Sequence, residues 1–123
     1  MPVRDETVRQ QLFRIIESRT FRNAQRLRSF LRFVVEETLA GREAGIKEYA
    51  IGCEVCGRSV SFDPKTDPIV CVDANRLRSR LESYYLSEGA NDTILITLPK
   101  GTYVPVFTER DASALADERP GVR

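Results

Sequence analysis

The sequence predicts an α+β domain in which the helices come first and a two-stranded β-hairpin comes last. Three segments carry apolar residues at the three- and four-residue spacing of an amphipathic helix. Two short runs rich in β-branched and aromatic residues follow, on either side of a Pro-Lys-Gly-Thr turn sequence. The chain has 123 residues, of which 41% are apolar and 30% charged, so its length and composition suit one folded domain.

Two helices are expected near the start of the chain. The first covers residues 5–18, in which four apolar side chains recur at helical spacing: Val8, Leu12, Ile15 and Ile16. The second starts after Asn23, because a side-chain amide oxygen can accept hydrogen bonds from the free N–H groups of a first turn. It ends at Gly41, the residue type that most readily adopts the left-handed conformation found after many helices.

The apolar face of this second helix is broad. It consists of Leu27, Phe30, Leu31, Val34, Thr38 and Leu39. Phe33 and Val35 fall outside the face, and such extra apolar area on a small domain predicts either a more enclosed helix or a partner surface. We expect the enclosed helix because the first helix must pack somewhere, and a homodimer through this surface is the alternative.

A short third helix is predicted at residues 47–55, with Tyr49, Ile51 and Val55 available to pack against the other helices. A loop over residues 57–66 follows it, because this stretch begins with glycine and contains an Asp-Pro pair. The third helix is therefore separated from the next one by a long connection.

The fourth helix, expected over residues 67–87, is the longest element. Asp67 can cap its free amides, and Pro68 suits the first helical position because an N–H is not needed there. Five side chains share one face and should be buried: Val70, Ala74, Leu77, Leu81 and Tyr84. The opposite face carries Val72, Asn75, Arg76, Ser79 and Ser83, with Cys71, Arg78 and Arg80 at its flanks.

The predicted hairpin spans residues 93–107. Its strands are expected at 94–98 and 103–107, and the turn between them places Lys100 at the tip. The chain after it, residues 108–123, shows no periodicity and mixes charges with small residues. We therefore expect a folded domain over residues 1–107, followed by a disordered tail or linker.

Charge is unevenly distributed along the chain, although the formal net charge is only +1. Residues 1–35 contain eight arginines, and a second cluster consists of Arg76, Arg78 and Arg80. The net charge gives no global signal for nucleic-acid binding, so any such signal must come from these local clusters.

The compartment is expected to be the cytoplasm. No apolar run approaches the ~20 residues that a membrane span needs, and the first residues lack the apolar core of a signal peptide. Three cysteines make an odd number without a disulfide pattern, which is typical of a reducing compartment.

Several short motifs carry a family resemblance. The fourth helix and the hairpin, through Arg76-Leu77-Arg78, Leu81 and the run from Ile96 to Tyr103, resemble OmpR/PhoB-type winged helix-turn-helix domains. A closer resemblance, over Phe21 to Phe107, is to a bacterial winged-helix domain found at the N-terminus of tetratricopeptide or cyclase-annotated proteins. It is carried by Lys47 to Gly52, Phe62-Asp63-Pro64, Thr66 to Val70, Arg76-Leu77-Arg78, Tyr84-Tyr85 and Leu98 to Gly101.

The resemblance implies a winged helix-turn-helix with two extra N-terminal helices, which binds double-stranded DNA and regulates transcription. The helix at 67–87 would enter the major groove, and the hairpin at 93–107 would be the wing on the minor groove or the backbone. The family's arginine matching Arg76 contacts bases or backbone, and the one matching Arg78 helps to anchor phosphate. The long loop at 57–66 is typical of this family, where it often contacts RNA polymerase.

The helix geometry divides the candidate contacts into two groups. Asn75 and Arg76 project opposite the buried face, so we expect them to read base edges, since arginine pairs with guanine and asparagine with adenine. The other candidates should hold phosphate or minor-groove backbone. They are Arg78 and Arg80 on the flanks of the helix, Thr97 and Lys100 in the hairpin, and Ser79 as a weaker helper. The family tends to have arginine where this chain has Cys71, so one contact is missing here.

We predict no enzyme activity and no cofactor. The chain contains no histidine, the commonest catalytic base. The Pro-Lys-Gly-Thr sequence lacks the upstream glycine of a phosphate loop and lies between strands, so it is interpreted as a turn. Three cysteines, Cys53, Cys56 and Cys71, are candidate zinc ligands, but we expect them to pack as small apolar residues.

Two alternative functions are left open by the residues alone. Arginines on a helix are more often a solvated face, and Glu82 could pair with Arg78 one turn away. A protein-interaction winged helix would then use the apolar excess of the second helix. A cysteine-based metal or redox sensor is the other alternative. The combination of a basic helix, a preceding short helix and a hairpin with lysine at its tip favours DNA binding.

Overall fold

A computed structural model describes residues 3–110, and within them the chain is a mixed α+β domain, as predicted. Its elements are α1 (Asp5–Ile16), α2 (Gln25–Leu39), a single 3-10 turn (Glu43–Gly45), α3 (Glu48–Glu54), α4 (Ile69–Leu86), β1 (Ile94–Thr97) and β2 (Val106–Glu109). The helices surround one apolar core, and the antiparallel β1–β2 hairpin packs against α1 and α4 through β1. No helix in this range is both long and apolar enough to cross a membrane.

The connection between α1 and α2 differs from the prediction. Helix α1 stops two residues early, and the hydroxyl of Ser18 donates to the carbonyl oxygen of Ile15. The predicted cap at Asn23 is wrong: Ala24 is the residue that precedes α2, and no side chain caps the helix. The reason is local, because the N–H of Ala24 bonds back to the carbonyl of Phe21 and moves the helix start one position past Asn23.

Helix α2 is enclosed on two sides, because it contacts both α1 and α4. The expectation that Val35 lies outside the buried face is wrong, since Val35 is fully buried, and Phe33 is half-buried. Packing on both sides widens the buried stripe beyond what a single helical face predicts. The end of the helix is as predicted, with Gly41 in the left-handed region at φ 77°.

The loop between α3 and α4 is held by an aromatic anchor. Phe62 is buried, and its ring lies so close to Gly52 of α3 that a Cβ there would be 2.3 Å from the ring. Tyr49, predicted to be available for packing, is 45% exposed and donates its hydroxyl to the carbonyl of Val60 at 2.8 Å. Ile51 is fully buried, as expected for the side of α3 that faces α4.

Helix α4 has the predicted phase. All five residues of its predicted apolar face, Val70, Ala74, Leu77, Leu81 and Tyr84, are buried. Arg76, on the opposite side, is exposed. The helix begins at Ile69, so Pro68 precedes the first helical position instead of occupying it as predicted. The N–H of Ile69 donates to Asp67 Oδ1 at 3.2 Å, so Asp67 caps the first turn from outside the helix.

The hairpin is shifted along the second predicted strand. Strand β2 starts at Val106 and continues to Glu109, which pairs with Ile94, so the strand ends two residues after Phe107, where it was predicted to end. Pro105 has no N–H to donate to a ladder, which explains why pairing starts after it. The remainder of the predicted tail, residues 111–123, lies outside the described residues.

Candidate nucleic-acid interface

The exposed face of α4 forms a polar ridge. Asn75, Arg76 and Ser79 are all exposed on it, directly opposite the buried apolar face. These three side chains were predicted as contacts, and they share one surface because positions three and four apart lie one helical turn from each other. The ridge is flanked by the hairpin on one side and by the connection between α1 and α2 on the other.

Arg78, predicted to hold phosphate, ties α4 to the hairpin in this structure. Its Nε donates to the carbonyl of Leu98 at 2.9 Å, and its Nη2 donates to the carbonyls of Pro99 and Thr102 at 3.2 and 3.0 Å. A guanidinium has five N–H donors in a fixed fork, so one side chain can hold several carbonyls of a loop. The predicted pairing with Glu82 is not found among the described residues.

The same guanidinium orients Asn75. Arg78 Nη1 donates to the side-chain carbonyl of Asn75 at 2.8 Å. This bond fixes which end of the amide is the carbonyl and leaves the NH₂ group facing away from Arg78. Arg78 therefore links a ridge residue and the hairpin loop through one side chain.

The hairpin presents its polar residues beside the ridge. Lys100 is exposed at the loop, where Gly101 adopts φ 86°, a conformation that strongly favours glycine. Thr97 is exposed on β1, and its hydroxyl lies 3.5 Å from the carbonyl of Val106. Between α4 and the hairpin runs an open groove of about 480 Å³, lined by both these residues and by apolar side chains such as Leu81 and Leu95.

Arg80 lies on the other flank of the ridge. Its Nη1 donates to the carbonyl of Thr20, in the connection between α1 and α2, at 2.6 Å. Arg76 and Arg80 line a cleft of about 260 Å³ together with Asn23 and the start of α2. The structure thus separates Arg78 and Arg80, which were predicted as equivalent: one reaches the hairpin and the other the opposite side.

An ion pair between a buried carboxylate and the exposed Arg26 of this cleft was missed from the sequence. Asp73 of α4 is 1% exposed and accepts from Arg26 Nε and Nη2 at 2.5 and 3.1 Å. The hydrogen bond to Asp73 raises the pKa of Arg26. The sequence did contain a signal for this pair: Asp73 lies next to the core-facing positions of α4. A carboxylate that is buried there requires a cationic partner.

A second buried carboxylate joins α1 to the base of the hairpin. Asp92 accepts hydrogen bonds from Gln11, Arg14 and the hydroxyl of Tyr84, at 2.8, 2.8 and 2.5 Å. Burial, and then the bond to Asp92, raises the pKa of Tyr84. The neighbouring Tyr85 supports β1, and burial raises its pKa to about 12.

The three cysteines do not converge on one point. No group of three or more histidine, cysteine, aspartate or glutamate side chains that could hold a metal ion occurs within residues 3–110. The thiol of Cys56 contacts Asp73 at 3.8 Å, and burial followed by this carboxylate raises its pKa. Cys53 lies 3.6 Å from the carbonyl of Ser59, whereas Cys71 is exposed on α4.

The predicted contact residues therefore occupy three adjoining surfaces. Asn75, Arg76 and Ser79 are on the ridge, Thr97 and Lys100 on the hairpin, and Arg80 on the opposite flank, while Arg78 is engaged between ridge and hairpin. Comparison with protein-family models, with curated proteins and with solved structures found no match to this chain.

Proposed function

We propose that this chain is a winged helix-turn-helix domain that binds double-stranded DNA and regulates transcription. In this proposal α3 is the support helix, α4 is the recognition helix in the major groove, and the β1–β2 hairpin is the wing. The observation that carries it is the polar ridge of α4, which is exposed along its length and has cationic side chains on both flanks.

The dimensions of α4 suit this role. A helix of 18 residues is about 27 Å long, at a rise of 1.5 Å per residue. The major groove is about 12 Å wide and accepts one α-helix. The hairpin beside the helix would then lie over the adjoining backbone or minor groove, where Lys100 meets phosphate.

The proposed roles differ between ridge and flanks. Asn75 and Arg76 read base edges, with Ser79 as a weaker helper. Arg80, Thr97 and Lys100 hold the backbone, which gives affinity without sequence preference. Arg78 is not assigned a phosphate, because its N–H groups already bond carbonyl oxygens of the hairpin loop.

The protein-interaction alternative depended on extra apolar residues at the surface of α2. Val35 is fully buried and Phe33 is half-buried, so that side of the helix is already occupied by the domain itself. The loop at 57–66 is the surface that we propose for RNA polymerase, as the family resemblance implies. Its apolar residue Val60 is 88% exposed and could enter such a contact.

The test is a fluorescence-anisotropy titration over a series of salt concentrations. A preferred duplex is first selected from a random pool and then compared with a scrambled duplex of the same composition. The binding constant of the unaltered protein should fall steeply as salt rises, because bound phosphates release counterions. Binding that is undetectable at low salt on every duplex would contradict the proposal.

Two variants separate base contacts from backbone contacts. Arg76→Ala should reduce the discrimination between the two duplexes by about 1–3 kcal/mol, because a base-reading residue has been lost. Lys100→Ala should weaken binding to both duplexes by a similar factor and lower the salt slope by about one unit. Arg4→Ala, at the far end of α1, is the matched control for loss of one exposed positive charge. Equal losses on both duplexes for Arg76→Ala would exclude its base-reading role.

A further inference from the structure

The connection between α1 and α2, residues 17–24, carries two exposed arginines beside α4. Arg19 and Arg22 are both exposed, and neither forms an ion pair with a carboxylate among the described residues. Most other arginines of the first two helices do have such partners: Arg9, Arg14, Arg26 and Arg28 are each paired with an acid. The two arginines of the connection are therefore available for another anion.

This connection is held in a defined position by the C-terminal half of α4 and by Glu88, which follows the helix. The carboxylate of Glu88, just after α4, accepts hydrogen bonds from the N–H groups of Arg19 and Thr20 at 3.0 and 2.8 Å, and from the Thr20 hydroxyl at 2.8 Å. These bonds, led by that from Arg19, lower the pKa of Glu88, so the acceptor is ionised at neutral pH. Arg80 adds its bond to the Thr20 carbonyl.

The cleft between the connection and α4 is rich in arginine, whereas the two nearby acids, Glu17 and Glu88, are engaged by Arg28 and by the N–H groups of Arg19 and Thr20. The cleft next to it is lined by Arg26, Arg76 and Arg80, and its one carboxylate, Asp73, is buried against Arg26. The charge of Asp73 is thus compensated by Arg26. The outward-facing groups are guanidiniums and the amide of Asn23.

The two flanks of α4 lie on opposite sides of the ridge. Arg78 reaches the hairpin, whereas Arg80, two residues later and so about 200° further around the helix, reaches the α1–α2 connection. A helix in the major groove has one phosphate backbone on each side. If the hairpin meets one backbone, the connection faces the other.

We propose that the α1–α2 connection is a second phosphate-binding surface, in which Arg19 and Arg22, supported by Asn23 and Arg80, hold the DNA backbone on the side of α4 away from the hairpin. This inference rests on the proposed function and deepens it. The recognition helix is then clamped from both flanks. The contact is electrostatic, so it adds affinity and salt dependence but no sequence preference.

The experiment repeats the anisotropy salt series with Arg22→Ala and with Arg19→Ala/Arg22→Ala, next to the control Arg4→Ala. The magnitude of the salt slope should fall by about one unit for the single variant and about two for the double variant. The ratio of affinities for the preferred and scrambled duplexes should stay unchanged. Arg22→Lys should retain most of the slope, because a lysine still neutralises a phosphate.

The outcomes separate this inference from the proposed function. If the unaltered protein binds duplex DNA with a steep salt slope and the double variant keeps that slope, the second surface is excluded and the proposed function stands. A slope loss in Arg4→Ala equal to that in Arg22→Ala also excludes it, because only net charge would then matter. If the unaltered protein shows no salt-dependent binding to duplex DNA, both the proposed function and the second phosphate-binding surface are overturned. Far-UV circular dichroism and the thermal midpoint confirm that each variant is folded.

Discussion

Arg78 Nε in α4 lies 2.9 Å from the carbonyl oxygen of Leu98, just after β1. The other nitrogens of the same guanidinium bond to Asn75, Pro99 and Thr102. One side chain of α4 thus bonds three backbone carbonyls of the hairpin loop. Arg78 is a positioning residue, and charge alone cannot replace it.

We expect Arg78→Ala to loosen the hairpin loop. The variant should lower the free energy of unfolding by about 1–2 kcal/mol and speed up hydrogen exchange of the loop amides, because three backbone carbonyls lose their donor. Arg78→Lys keeps the positive charge but lacks the planar, forked N–H donors of a guanidinium. It should therefore reduce the free energy of unfolding and speed up loop hydrogen exchange nearly as much as Arg78→Ala. Arg76→Ala is the control and should change stability by less than about 0.5 kcal/mol. Loop exchange unaffected in Arg78→Ala would show that the bonds do not position the hairpin.

Tyr85 supports the outer edge of β1. Its hydroxyl donates to the carbonyl of Ile94 and accepts from the N–H of Ile96, both at 2.9 Å. Tyr85→Phe should lower the free energy of unfolding by about 1–3 kcal/mol in urea titrations, because both backbone groups lose a partner. The matched control is Tyr49→Phe, whose exposed carbonyl partner can bond water, and a similar loss there would contradict this account.

The phenol of Tyr85 also predicts a dependence of stability on alkaline pH. Its pKa is about 12 in the folded protein and 10.0 as the ordinary value, so the protonated form is favoured by folding. A raised pKa contributes stability that is fully present below pH 10 and is lost as the pH rises through 12. Urea midpoints between pH 9 and about 12 should fall less steeply in Tyr85→Phe. If the urea midpoints of the unaltered protein and of Tyr85→Phe fall equally steeply with pH, the pKa of this phenol is not raised by folding.

Asp92 is expected to be the most sensitive carboxylate. Asp92→Asn removes a buried charge that accepts from Gln11, Arg14 and Tyr84, and brings NH₂ donors to a site that already contains donors. We expect a loss of about 3 kcal/mol in the free energy of unfolding. The control is Asp63→Asn in the α3–α4 loop, which is exposed and retains an oxygen for the N–H of Lys65. If both variants lose the same free energy of unfolding, the burial of Asp92 does not account for its effect.

The cysteines should react in a fixed order. Cys71 is exposed, whereas Cys56 is half-buried with a raised pKa, so less of it is thiolate. Limited treatment of the native protein with iodoacetamide at pH 7.5, followed by peptide mass spectrometry, should find Cys71 alkylated well before Cys56. Alkylation in urea should remove the difference. A Cys56 that reacts first in the native protein would revive the redox-sensor alternative.

Periodicity determined much of this structure from the sequence alone. The apolar spacing of α4 predicted five of its six buried residues, all but Asp73, and with them the exposed side of Asn75 and Arg76. This works because every position on a helix is fixed relative to its neighbours by 100° per residue, so one buried face specifies the other. The turn signals near Gly41 and Gly101 were equally local, since both need positive φ.

Only the tertiary structure decided what the flanking side chains do. Arg78 and Arg80 are indistinguishable by composition, but one bonds a loop 20 residues away and the other a turn 60 residues earlier. Val35 is buried because α2 has neighbours on two sides, which no single helical face reveals. The partners of long polar side chains and the width of a buried stripe depend on how elements meet in space, and the sequence specifies that only through the complete fold.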